Sequence, residues 1–189
     1  MLAELRHDGG IMHRAILAFW FEEIDPASWW SARTEFDALV RDRYGDLLQR
    51  CARGECSGWR GDASGRLAEI IVLDQFSRNI HRGTPVAFAQ DPMALALAQE
   101  AVSQGCHLEL DVVRRGFLFL PFMHSESRLI HQTALELYRG FAAQENLEAE
   151  LRHKAIIDRF GRYPHRNEVL GRASTPEEVE FLRQPGSRF

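Results

Sequence analysis

Apolar residues recur three and four positions apart along almost the whole chain, the spacing that gathers side chains on one face of an α-helix. Met12, Ile16, Phe19 and Trp20 follow it, and Phe36, Leu39, Val40, Tyr44, Leu47, Leu48 and Cys51 repeat it over a longer stretch. No segment alternates apolar and polar residues at the strand period of two. The chain is therefore expected to be all-α.

Turn and cap residues divide this pattern into eight or nine helices. Asp25-Pro26-Ala27-Ser28 reads as a turn, since proline fixes φ and Asp and Ser offer local side-chain bonds. Ser64 is placed to cap a helix carrying Leu67, Ile70 and Ile71, and Asp91-Pro92 reads as an N-cap with proline at the first helical position, the helix ending at Gly105. A further helix is expected from about Asp111 to Phe119, stopping before Pro121, and the next from near Ser125 through Ile130, Ala134, Leu137, Tyr138 and Phe141. Leu147, Leu151, Ala155, Ile156, Ile157 and Phe160 lead to Gly161, a C-terminal glycine, and Thr175-Pro176-Glu177-Glu178 combines a capping box with an N1 proline. Short connections imply antiparallel neighbours, as a bundle or as stacked helix pairs, in one domain spanning residues 1–189. No clean 34-residue tetratricopeptide repeat is present in the sequence.

The longest apolar run, Gly116 to Met123, is interrupted by Pro121 and is too short for a membrane span. Charged residues at Glu4, Arg6, His7 and Asp8 leave no room for a secretory h-region, so a cytoplasmic protein is expected. Cys51, Cys56 and Cys106 are expected to be free thiols; neither Cys-x-x-Cys nor His-x-x-x-His spacing occurs, and no metal site is expected. A net charge of -4 argues against a nucleic-acid partner that works by phosphate neutralisation. Of the 23 basic residues only Lys154 is a lysine, and arginine is the better planar, bidentate partner for carboxylates and phosphates.

Three polar blocks stand out against the helical background. In Leu73 to Arg82, Asp74 and Arg78 lie one helical turn apart and can pair, with Asn79 near the helix end. In Pro121 to Glu126, His124 and Glu126 put a histidine and a carboxylate at a helix junction, the minimum equipment for acid–base work. The densest block runs from His153 to Asn167, where Arg159, Arg162, His165, Arg166 and Asn167 surround the turn made by Gly161 and Pro164. Such a cluster either holds an anion or is neutralised internally by Asp74, Glu126 and Asp158.

These blocks, together with Ala18-Phe19-Trp20-Phe21 and Leu170-Gly171-Arg172-Ala173-Ser174-Thr175, resemble the bacterial family of unknown function DUF924 from about His13 to Leu182. The resemblance implies a tetratricopeptide-like α-α superhelix and no established activity. Ser77 stands where that family often has proline, and Tyr163 where it often has phenylalanine.

Two functions are compatible with the blocks. One is a binding or interaction module whose Arg/His site takes an anionic small molecule or peptide. The other is an enzyme acting on a small phosphorylated or carboxylated substrate, with His124 or His165 as acid/base and Arg78, Arg159, Arg162 and Arg166 as charge stabilisers. The sequence supplies no cofactor loop and no nucleophile; exposed aromatics are compatible with a homo-oligomer.

Overall fold

The computed structural model describes residues 12–30 and 32–188, so the reading of Glu4 to Asp8 lies outside the described residues. Within them the chain is helical, without a strand. Helix α1 covers 12–18 and widens into a π-turn at Phe19–Glu23. The next helix, α2, is Thr34–Ala52. Helix α3, Ala63–Ile71, runs on through a second π-turn, Val72–Phe76, and a last α-turn, Ser77–Ile80. Then come α4 (Asp91–Ser103), α5 (Val112–Met123), α6 (Arg128–Phe141), α7 (Gln144–Phe160) and α8 (Pro176–Leu182).

The centre of the fold is α3 with its π-turn. Leu67, Ala68, Ile70, Ile71, Val72, Leu73 and Phe76 are all fully buried, so this segment is covered on every side by α2, α4 and α5. A helix with apolar residues on most of its faces belongs in the interior, and the charge it carries there at Glu69 is paired with Arg60. Trp20 and Tyr44 close on Phe76, with ring centroids 5.5 and 5.0 Å away. The links between α5 and α6 and between α6 and α7 are too short to do anything except reverse the chain, and these neighbours pack against each other. A smaller cluster of Ile156, Ile157 and Tyr163, with Phe160 and Phe181, attaches α8 to the end of α7.

Several local readings of the sequence need correction. The cap of α3 is Asp62, whose carboxylate accepts the Gly65 N–H at 2.7 Å; Ser64 lies inside the helix. At Gly65 any Cβ would collide with the Trp59 carbonyl oxygen, so only glycine lets the two segments approach this closely. Helix α4 starts at Asp91 with Gln90 at the cap, because the Asp91 carboxylate is drawn away to arginines. Helix α5 does not stop before Pro121 but reaches Met123. The proline falls in the last turns, and burial of Pro121, Phe122 and Met123 offsets a penalty of roughly 3 kcal/mol. Ser127, two residues after the expected start, caps α6.

Cys51 and Cys56 form a disulfide, contrary to the expectation of free thiols. Gly54, at φ +76°, turns the chain back after α2 and brings the two Cα atoms to 5.0 Å; Cys106 is buried and free. Gly161, at φ +71°, ends α7, and Thr175 and Glu178 make both halves of the capping box, as expected. No helix among the described residues is long and apolar enough to cross a membrane.

Candidate functional site

A cavity of about 630 Å³ opens between the end of α3, the turn before α4, the end of α5, α7 and the turn after it. It receives side chains from all three polar blocks: Arg78 and Asn79, His124, and His165 with Arg166. Asp74 lies directly behind this wall, whereas Glu126, Arg159, Arg162 and Asn167 do not line it.

The inner wall is built outward from Asp74. The π-turn buries every residue from Val72 to Phe76 and so carries a carboxylate into the core, where it must be paired. Its partners are His124 (Nδ1 to Oδ1, 2.8 Å), Gln75 (Nε2 donating to Oδ2, 2.7 Å) and Arg78 (3.1 Å). Burial pushes the Asp74 carboxyl up, but Arg78 and His124 overcome it and hold the group well below the ordinary carboxylate range. An ionised Asp74 can only accept, so His124 carries its proton on Nδ1 and leaves the Nε2 lone pair open. Nε2 makes no bond among the described residues, and His124 lines the cavity. Burial and Arg78 lower the His124 pKa from its ordinary value, so the imidazole is neutral at neutral pH.

Arg78 also grips Asp91 in a two-pronged pair, at 2.8 and 3.0 Å, and donates to the Asp74 carbonyl, so both of its terminal nitrogens are engaged. Arg166 differs. It is buried and lies over the Phe88 and Tyr163 rings, 4.6 Å from each centroid, but its only polar contact among the described residues is a 3.3 Å bond from Nη1 to Asp91. Its buried Nε has no acceptor. Burial and the charge of Arg78 depress its pKa, as expected for a guanidinium with too few acceptors.

The other arginines of the turn point toward α8 and are paired there, and Asn167 is buried beside them with its Oδ1 unbonded. Arg162 grips Glu178 at 2.6 and 2.8 Å and donates to the Ala173 carbonyl. Asn167 donates to Glu178 and Ser174, and Arg159 pairs with Glu177 at the surface. Glu126 does not meet His124: it accepts from Arg172 at 2.6 and 2.9 Å and from the Tyr163 N–H at 2.7 Å. Asn79 donates to Asp37 instead of capping its helix, and Asp158 takes Lys154. The two explanations of the cluster thus divide it, with Arg159 and Arg162 neutralised by α8 and Arg166 left under-bonded at the cavity.

Other lining residues lay outside the sequence reading. Trp29, Trp30, Phe88, Leu120 and Met123 give the cavity an apolar side, and Trp30 is 66% exposed with its ring stacked on Phe117. Arg152, on α7, has no hydrogen bond or ion pair among the described residues, and Arg82 is held by Asp37. Tyr163 lends its ring to the wall and donates its hydroxyl to the Met123 carbonyl at 2.5 Å. His153 and His165 also line the space, and burial drops their pKa values to about 3 and about 4. No group of three or more metal-ligating side chains occurs among the described residues.

Residues 16–186 match the family of bacterial proteins of unknown function DUF924. The chain belongs to this family. A solved structure of a protein of unknown function from Agrobacterium tumefaciens, ATU0120, is similar at 36% identity and a TM-score of 0.87, covering 92% of this chain and 98% of that one. No curated protein matches the sequence. In this DUF924 chain the motifs of the first polar block converge with those of the second and third on one cavity wall.

Proposed function

We propose that the cavity binds a small molecule carrying a carboxylate or phosphate, with Arg166 as its anchor. The observation that carries this is a buried guanidinium on a cavity wall with an unpaired Nε and one long bond to Asp91. A buried arginine left in that state costs stability, and an anionic ligand can take the terminal N–H groups that the single bond to Asp91 leaves open. Arg152 at the cavity adds a second uncommitted cation. Trp30, Phe88 and Tyr163 offer rings on which the organic part of the ligand can lie. A volume of about 630 Å³ suits a small molecule better than a peptide strand or helix. The frame is a set of sequential helices packed in antiparallel succession, which supports the tetratricopeptide-like arrangement and its use of an inner surface for recognition.

The test is calorimetric titration and thermal unfolding with 3-hydroxybenzoate and phenyl phosphate, using phenol as the uncharged control. Either anion at a hundred times its dissociation constant should stabilise the fold by about 2.7 kcal/mol, and phenol should not. Arg166→Met should weaken anion binding at least tenfold while leaving stability unchanged or raised, since it removes a poorly satisfied buried charge. If neither anion binds the parent protein, the reading is wrong.

A further inference from the structure

The wall that would anchor an anion also holds a histidine prepared to take a proton. Asp74, buried and ionised, fixes the Nδ1–H tautomer of His124, and the Nε2 lone pair is the part of the ring left uncommitted at the cavity. Charged groups act on it from each neighbouring element: Asp74 and Arg78 from α3, and Asp91 from α4. His153 from α7 and His165 from the following turn stand in the same cavity. We propose that the protein is a hydrolase of carboxylic esters that bear an anionic group, with His124 as the general base that activates water. This rests on the ligand-binding reading above and names the substrate class for that site.

The reaction class follows from what surrounds the base. Isomerisation or elimination needs an acid to accompany the base, and the cavity is poor in acids at neutral pH. Burial keeps His153 and His165 deprotonated down to about 3 and about 4. The Tyr163 hydroxyl is bound to the Met123 carbonyl, and burial raises its pKa. Ester hydrolysis closes with one base alone. His124 Nε2 takes a proton from water as the water oxygen bonds to the acyl carbon, and the carbonyl π pair moves onto oxygen. The C=O bond then re-forms, the C–O bond to the alcohol breaks, and the departing oxygen takes the proton back from Nε2. The products are an acid and an alcohol, and the imidazole is regenerated neutral. Asp74 is a positioning residue that stabilises the transient imidazolium. Phosphoryl transfer fits less well, because its oxygens call for several arginines together, and Arg78 and Arg82 are engaged by Asp74, Asp91 and Asp37, which leaves Arg152 and Arg166.

The probe is 3-acetoxybenzoate, whose hydrolysis releases 3-hydroxybenzoate and acetate, with phenyl acetate as the uncharged ester. The parent protein should hydrolyse 3-acetoxybenzoate at least tenfold faster than phenyl acetate, with kcat/KM rising through a single ionisation below pH 6.5 and then level. His124→Gln should lower kcat/KM by about 10²–10⁴-fold while still binding 3-hydroxybenzoate. Asp74→Asn should lower kcat and move the acidic limb to lower pH, because the Asp74 charge supports protonation of His124. Binding of 3-hydroxybenzoate with no hydrolysis above the His124→Gln level would overturn the hydrolase and leave the ligand-binding reading standing. Absence of both binding and hydrolysis overturns both. If His124→Gln does not fold, the parent's pH profile decides: a rate that is flat or falls from pH 4 to 8 rules out a His124 base.

Discussion

Arg162 and Arg166 sit four residues apart on one turn and meet opposite fates. Arg162 faces α8, where Glu178 takes both of its prongs and Ala173 a third bond. Arg166 faces inward, shares Asp91 with Arg78, and keeps an unbonded Nε. Glu178 takes four bonds, two from Arg162 and one each from Asn167 and the Thr175 N–H, and its pKa falls to about 2, first through Arg162. Asp91 takes three bonds, two from Arg78 and one of 3.3 Å from Arg166, and that long bond is the only one Arg166 makes through its side chain among the described residues. The same residue types thus build a clasp on one side of the turn and an under-filled wall on the other. Charge density in a sequence locates such a turn, and only the count of acceptors separates fastening from recognition.

The largest effect should come from removing the arginine that both inner carboxylates share. Arg78→Met leaves the buried Asp74 charge with only His124 and Gln75 and weakens the hold on Asp91, and urea unfolding should show a loss of about 3–5 kcal/mol. A loss below 1 kcal/mol would mean that the inner cluster does not depend on Arg78, and the contrast with the outer clasp would collapse.

Acid should separate the two sides next. His153 and His165 have folded-state pKa values of about 3 and about 4, below the ordinary 6.5, so between pH 6.5 and 4 the unfolded chain binds more protons and stability falls as pH falls. The outer clasp behaves differently. Glu178 is held at about 2 against an ordinary 4.5, so its contribution is complete above pH 4.5 and is lost only as the pH drops toward 2. Chemical denaturation at half-unit steps should show an early decline of a few kcal/mol from the histidines. His153→Gln with His165→Asn should make the segment from pH 6.5 to 4 shallower, the remainder coming from His124, whose pKa is also lowered, and leave the later one unchanged.

The smallest effect belongs to the clasp's own cap. Thr175→Ala removes the hydroxyl that accepts the Glu178 N–H, and should cost about 1 kcal/mol in thermal or urea unfolding without altering 3-hydroxybenzoate binding. A change in that binding would show that the two sides of the turn are coupled.

Most helices were legible because their evidence is local. The repeat through α2, the glycine after α7 and the Thr175–Glu178 box each lie within a few residues of the element they define. Pro121 misled because a local penalty was outweighed by burial that only the assembled core provides. The π-turn at Val72–Phe76 left no mark, since it shifts an apolar stripe without interrupting it. At the site, the i, i+4 pair of Asp74 and Arg78 could be read directly. Asp91 could not, because Asp-Pro is also a helix-start signature, and its carboxylate instead reaches Arg166, 75 residues away. His124 was singled out but given the wrong carboxylate: Glu126 is near in sequence, while Asp74, 50 residues away, is the one that bonds it. Nothing in the sequence marked Trp29 and Trp30, because a place at a cavity mouth has no sequence signal of its own.

Tyr163 divides its labour between two ends of one side chain. The ring is a shelf for Arg166, while the hydroxyl is a tether to the end of α5 through Met123 and meets His131 at 3.2 Å. Phenylalanine at this position would be a change of a single oxygen atom. Such an edit keeps the shelf and cuts the tether, and so would loosen the mooring of the turn without redrawing the surface that a ligand would touch.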